Sequence, residues 1–285
     1  MTLVNLIHNG INIGDDIQSI AQQRFITPPY DFINREHMNA YSRKVRVIMS
    51  AWFLHSQGNW PPSNDITPIF VSFHIAHACL ASQKFAAYYK KYEPIGCRDL
   101  NTMKLLHKIG VNAYFSGCLT LTLTRPNLPR TDKIYVVDAH LTEKVQYPFG
   151  ANNLFKALIP DDIKRKAEYI EHDIPKHFNK KDTLLRHEYA RSLLEKYATA
   201  KLVITSRLHC LLPCLAYGTP VIFLENRLHT CKRYSGYHEY IHGYHKVDQE
   251  IEIDWDTLIL AHRKDITPLV TNLLKDIKDR LSQQI

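Results

Sequence analysis

The sequence predicts an α/β fold built on parallel sheets and divided into two halves. Three observations carry that prediction. Short β-branched runs alternate with helical stretches, the pattern of strand–helix–strand units. A polar segment with two prolines, TRPNLPRTD (124–132), separates two such patterned stretches. The 285 residues suffice for two domains at about 150 residues each.

Each element follows from its local pattern. TLVNLI (2–7) reads as a strand, followed by a Gly/Asn loop and a helix over 16–25. Strands are expected at 45–54 and 67–73, on either side of a Pro/Ser/Asn loop at 56–66. A helix is expected near 79–91, then a short strand ending at Cys97. The next helix runs from Asp99 to Ile109, closed by Gly110. AYFSGCLTLTL (113–123) is read as the last strand of the first half. The second half opens with KIYVVDA (133–139), a charged helical stretch near 161–171 and a helix at 183–198. The strand KLVIT (201–205), a helical segment to Tyr217 and the strand VIFL (221–224) follow. Ile266, Leu269, Val270, Leu273, Leu274, Ile277 and Leu281 fall on one stripe of a terminal helix. The expected boundaries are 1–125, 131–262 and a helix at 263–285 that packs back on the domains. Two such domains imply a cleft at the carboxyl ends of their strands.

Composition narrows the function. Apolar residues make up 45% and charged residues 22%, which excludes a disordered chain or a coiled-coil rod. The N-terminus MTLVNLIHNG lacks a basic region and a small-residue cleavage site, and no apolar run approaches ~20 residues, so a cytoplasmic protein is expected. Six scattered cysteines without a CxxC pair read as reduced thiols. Thirty-six basic against 28 acidic side chains give +8, yet no run of five or six Lys/Arg marks a nucleic-acid surface. The surplus fits an anionic substrate or an anionic membrane face.

The segments after the strands carry the candidate chemistry. In KLVITSRLHCLLPCLAYGTP (201–220) Ser206 is the expected N-cap, with Arg207 and His209 in the first helical turn. Free N–H groups, the positive end of the helix dipole, an Arg and a His make an anion site there. Pro213 is expected to kink that helix. Arg98 stands at a second strand-to-helix transition, where Asp99 is the expected cap. In IHNGINIGDD (7–16) Gly10 and Gly14 do not make GxGxxG. Asp15 and Asp16 at a helix start would repel a pyrophosphate but could accept a proton from a hydroxyl; alternatively Asp15 only caps the helix. His74 follows the strand IFVSF and could face the cleft or be a satisfied core histidine. His238, His242 and His245 lack HExxH, and no metal site is expected. Trp52, Trp60 and the aromatic-rich 234–244 read as packing or, alternatively, as sugar-stacking groups.

These residues resemble the polysaccharide pyruvyl transferase family. The resemblance rests on Asn12-x-Gly14-Asp15 followed by Asp16, on Arg98-Asp99, on Ser206 to His209 with Ala216, Gly218 and Pro220, and on Arg233 to Gly236. It runs from about residue 5 to about 245, and its most specific part is the S-R-L-H segment with its Gly-Pro ending. The resemblance implies a GT-B-like fold, two Rossmann-like domains facing a central cleft. It implies phosphoenolpyruvate as co-substrate, a saccharide acceptor (lipid-linked or free) and a ketal-linked pyruvate as product. Carried over residue by residue, Arg207, His209, Arg98, Ser206 and Leu208 would contact phosphoenolpyruvate. Asn12, Gly14, His74 and Arg233 would contact the acceptor. His209 would be the acid or a phosphate ligand, and Asp15 or Asp16 would deprotonate the acceptor. No cofactor, metal or nucleic acid is expected.

Two other readings compete. A nucleotide-sugar glycosyltransferase on the same GT-B scaffold would use Arg207 for a diphosphate. A non-catalytic saccharide- or nucleic-acid-binding protein would use the positive charge and the tyrosines.

Overall fold

The computed structural model describes residues 1–54, 56–139, 159–179, 181–225, 234–241, 243–246 and 265–283. Among them, two parallel sheets dominate. The first has order β2-β1-β3-β5. Its strands are β1 (Thr2–Ile7), β2 (Phe32–Asn34), β3 (Val45–Ile48) and β5 (Ile66–Ile69). The second has order β10-β9-β11-β12-β13. Its strands are β9 (Ile134–Val137), β10 (Ala167–Ile170), β11 (Leu202–Thr205), β12 (Val221–Glu225) and β13 (Gly243–Lys246). The four residues of β9 and of β11 are all buried, which explains their continuous apolar sequence.

The two long strands expected in the first half are each cut. The stretch 45–54 leaves the main sheet after Ile48 and resumes as β4 (Trp52–Phe53). The stretch 67–73 leaves after Ile69 and resumes as β6 (His74–Ile75), past Ser72 at a left-handed φ of 60°. β4 and β6 then pair with each other, Trp52 beside His74. A separate ladder joins β7 (Ile95–Cys97) to β8 (Ala113–Phe115). The expected strand 113–123 also ends early, because the chain turns at Gly117 (φ 78°) into a 3₁₀ turn at Leu119–Thr122. The helix expected over 79–91 is two 3₁₀ turns followed by α2 (Ala86–Lys90).

Two further readings change in detail. The charged stretch 161–171 divides into α4 (Asp161–Lys166) and the edge strand β10, whose half-buried Glu168 and exposed Tyr169 hid it from pattern reading. The first helix, α1 (Ile13–Gln23), starts before residue 16 because Asn12, not Asp15, caps it: its side chain accepts from the Gly14 N–H at 2.9 Å.

The halves share a core. Ile13, Ile17 and Ile20 on α1 belong to one apolar cluster with Ala190 and Leu194 of α5 (Thr183–Thr199) and Cys210 and Cys214 of α6 (Leu208–Tyr217). The terminal helix α7 (Thr267–Ser282) lies across both halves. Its first turns, through Ile266, Leu269 and Val270, pack beside Leu211 and Leu215 of α6. Its far end is held by the first half, where Arg46 donates to the carbonyls of Leu281 and Arg280 at 2.9 and 2.7 Å. Leu273 and Ile277 are its fully buried positions.

Candidate active site

The site is built around the first turn of α1. Asp15 and Asp16 both lie there, favoured by the helix dipole. Asp15 accepts from Gln18 Nε2 and Arg35 Nη2, each at 2.9 Å. Asp16 takes Arg186 as a fork, Nε at 3.1 Å and Nη2 at 2.8 Å, and His8 Nε2 lies 3.2 Å away. Burial pushes both carboxyls up, but Arg35 and His8 at Asp15, and His8 and Arg186 at Asp16, outweigh it and hold both below the usual carboxylate range. All four oxygens are engaged, and such carboxylates are poor bases.

Arg98 follows β7 and is buried, 1% exposed. Nη1 donates to Gln18 Oε1 at 3.0 Å, a neutral partner, while Nε has no hydrogen-bond partner. Its neighbour Asp99 lies 4.0 Å from that Nε and takes its hydrogen bonds from other groups. Asp99 caps α3 (Leu100–Lys108) by accepting from the Thr102 N–H at 2.8 Å, and its Oδ2 lies 2.6 Å from His74 Nδ1. Burial raises the Asp99 carboxyl, yet His74 and then Arg98 bring it below its ordinary range. His74 is thus half of a buried His–Asp pair.

The segment 234–237 clamps this region from the second half. Ser235 accepts at the α3 N-terminus, its carbonyl from the Leu100 N–H and its Oγ from the Asn101 N–H, both at 3.1 Å. Tyr237 Oη donates to the Arg98 carbonyl at 2.5 Å. Gly236, at φ 101°, lies so close to Phe115 that an added Cβ would meet the ring at 2.8 Å. Arg233, expected to contact the acceptor, lies outside the described residues, as does His242.

The SRLH segment enters from β11. Ser206 is not the cap: Arg207 occupies that position, and the Ser206 hydroxyl donates to the Asp138 carbonyl at 2.7 Å. Arg207 is about one-third exposed, and its Nε donates to Asp138 Oδ2 at 2.5 Å. The Leu208 side chain is buried in the core, so only its backbone N–H, in the first turn of α6, can reach a ligand. Pro213 lacks the N–H that would bond the His209 carbonyl, and His209 departs from helical geometry at φ −86°, ψ 15°. That kink sets the imidazole against α1. A Cβ on Gly14 would lie 3.0 Å from His209 Cβ and Nδ1, so any larger residue there would press on the ring. On the other side Nε2 is 4.0 Å from Cys118 Sγ.

The structure therefore gathers Asn12, Gly14, Asp15, Arg98 and His209 around one helix start, with Arg207 held beside it on Asp138. Several participants were not anticipated. Asp138 sits at a left-handed φ of 47° directly after the VVDA strand. Gln18 bridges Arg98 to Asp15, and Arg35 and Arg186 hold the acid pair. His172 is buried, neither ring nitrogen has a hydrogen-bond partner, and burial followed by Arg207 pushes its pKa down to about 3. Only Asp138 carried a usable signal, its place at a strand end. A cavity of about 320 Å³ opens at the other end of α1, lined in part by Ile20, Arg24, Tyr30, Arg191 and Tyr217, and includes none of the expected site residues. Among the described residues no group of His, Cys, Asp and Glu is arranged to hold a metal, and no helix is long and apolar enough to cross a membrane.

A family model described as polysaccharide pyruvyl transferase matches residues 80–227, which include Arg98 and the SRLH segment. No curated protein matches the chain. A crystal structure of an uncharacterized protein from Klebsiella pneumoniae subsp. pneumoniae NTUH-K2044 is similar at a TM-score of 0.45 and 15% identity, over 81% of this chain and 87% of that one.

Proposed function

Because the chain belongs to the polysaccharide pyruvyl transferase family, a transferase acting on polysaccharide, we propose that it moves the enolpyruvyl group of phosphoenolpyruvate onto a saccharide as a ketal. The observation that carries this reading is Arg98. A buried guanidinium whose side-chain hydrogen bond goes to a neutral amide, with the Asp99 carboxylate no nearer than 4.0 Å to Nε, keeps positive charge for an anion bound beside it. His209 stands across Cys118 from it, and Arg207 adds a partly exposed guanidinium. Phosphoenolpyruvate concentrates a carboxylate and a phosphate on few atoms, which suits such a set of cations.

The chemistry assigns the residues. His209 protonates the methylene carbon, making C2 an oxocarbenium-like electrophile. A sugar hydroxyl attacks C2. The C2–O bond to phosphate then breaks with its electron pair, and Arg98 and Arg207 stabilise the departing charge. A second hydroxyl closes the ketal. Two protons leave the sugar; one ends on the new methyl group and the other on phosphate. The basic surplus favours an acceptor carried at an anionic membrane surface.

The test is thermal unfolding with phosphoenolpyruvate, and separately with UDP- and GDP-sugars. At 100 times its Kd a ligand adds about 2.7 kcal/mol. Stabilisation by phosphoenolpyruvate that falls to about a third in Arg207→Ala at the same ligand concentration supports the proposal. Stabilisation by a nucleotide sugar alone would replace it with a glycosyltransferase.

A further inference from the structure

The cavity at the far end of α1 takes no part in the reaction proposed above, and its walls carry positive charge without a carboxylate to balance it. Ile20, Gln23 and Arg24 stand at i, i+3 and i+4 at the end of α1, and Arg191, Leu194 and Glu195 repeat that spacing on α5, so each helix turns one face to the cavity. Tyr217 closes it from the end of α6, and Leu123 and Thr124 come from the segment that joins the halves. The volume of about 320 Å³ admits a body of about ten non-hydrogen atoms at roughly 30 Å³ each.

Four arginines crowd this end, and among the described residues their side-chain hydrogen bonds go to neutral acceptors. Arg125 donates to the carbonyls of Ala198 and Leu128. Arg130 donates to the carbonyls of Ala198, Ala200, Tyr217 and Gly218 and to the Thr219 hydroxyl. Arg191 Nη2 donates to Gln23 Oε1 at 2.5 Å. The Arg24 side chain makes no hydrogen bond or ion pair among the described residues. Neither Arg24 nor Arg191 is needed to cap a helix. The Gln22 and Gln23 carbonyls that end α1 accept from the backbone N–H groups of Phe25 and Ile26, and Arg130 serves the end of α6. Burial pulls the Arg24 guanidinium below its usual pKa, opposed by the Tyr217 hydroxyl and by no carboxylate. Glu195, the acidic side chain on the lining, is exposed and forms no ion pair with Arg24 or Arg191.

We propose that this cavity is a second anion site, which takes a phosphate monoester carrying a compact apolar body: Arg24 and Arg191 hold the phosphate, and Ile20, Leu123 and Leu194 receive the body. A monoester carries close to two negative charges near neutral pH, which two guanidiniums match through paired hydrogen bonds. The three apolar residues are each less than one-tenth exposed and form a dry floor beneath those charges. The site is separate from the donor anchors. α1 and α6 each run from one to the other, with Gly14 and His209 at one end and Gln23 and Tyr217 at the opposite end. An occupant would touch both halves of the chain, and its recognition does not depend on pyruvyl transfer.

The experiment is calorimetric titration of the full chain with hexyl phosphate and with inorganic phosphate. Hexyl phosphate is expected to bind the wild type, and inorganic phosphate at least tenfold more weakly, because it leaves the apolar floor uncovered. The double variant Arg24→Gln/Arg191→Gln changes two exposed positions, so it should keep the wild-type melting temperature and lose tenfold or more in hexyl phosphate affinity. Arg207→Ala should stay within threefold of the wild type. Vesicles containing phosphatidic acid identify the source: sedimentation that needs Arg24 and Arg191 supports the site with a lipid headgroup as ligand, and hexyl phosphate binding without it supports the site with a free ester. No binding of hexyl phosphate by the wild type, equal binding by the double variant, or a loss in Arg207→Ala instead overturns the proposal. Binding that needs Arg24 and Arg191 in a protein that ignores phosphoenolpyruvate would sink the pyruvyl reading and leave this site standing.

Discussion

Arg98 and Arg207 hold their charges in opposite circumstances, and their variants should differ accordingly. Arg207 is partly exposed and already paired with Asp138, so Arg207→Ala removes a ligand contact with little loss of stability. Arg98 is buried on Gln18, so Arg98→Met also leaves that amide oxygen without its donor. Each should weaken phosphoenolpyruvate binding about 30-fold, near 2 kcal/mol, measured by calorimetry. Two buried histidines make a second prediction. Burial lowers His172 to about 3 and His187 to about 4, while the unfolded chain titrates near 6.5. Between those values the unfolded state binds more protons, so stability is complete above about pH 6.5 and falls as pH drops toward 4. The slope is about 1.4 kcal/mol per pH unit for each histidine. Denaturant titrations across that range should show it, and His172→Gln should roughly halve the slope. At this scale the sequence displayed the anchors, because Arg and His after strands are conspicuous. It did not display their holders. Gln18, Arg35 and Arg186 acquire meaning only through partners at distant chain positions, and no local pattern encodes that choice.

The elements show the same division. The start of α1 was readable as a loop before a helix, but its true cap places both aspartates in the first turn, where the dipole and two arginines quench them. Gly14 matters for what lies above it. Gly14→Ala would press a methyl group into His209, and turnover is expected to fall more than tenfold while circular dichroism stays unchanged. Gly236→Ala meets both a left-handed φ and the Phe115 ring, and should destabilise the fold by about 1–3 kcal/mol in chemical denaturation. Fully buried strands such as β9 and β11 were legible from their apolar runs. The breaks after Ile48 and Ile69 were not, since the apolar pattern continues through them while the chain changes sheets.

At the scale of the molecule, the Asp16–Arg186 fork joins α1 of the first half to α5 of the second. Arg186→Met leaves the buried Asp16 carboxylate with His8 alone and is expected to cost about 3 kcal/mol, read from urea midpoints. The division into two patterned halves was visible at 124–132, but the core shared through α1 was not, because an amphipathic stripe does not say what covers it. The return of α7 adds a consequence of its own. Its far end is fastened to Arg46, so the chain passes from the first half through the second and back onto the first. The second half is in that sense an insert with two points of attachment, and any hinge between the halves must bend both connections together. A fragment ending at residue 125 would lose the buried Leu273 and Ile277, and supplying 265–283 as a separate peptide should restore part of its structure.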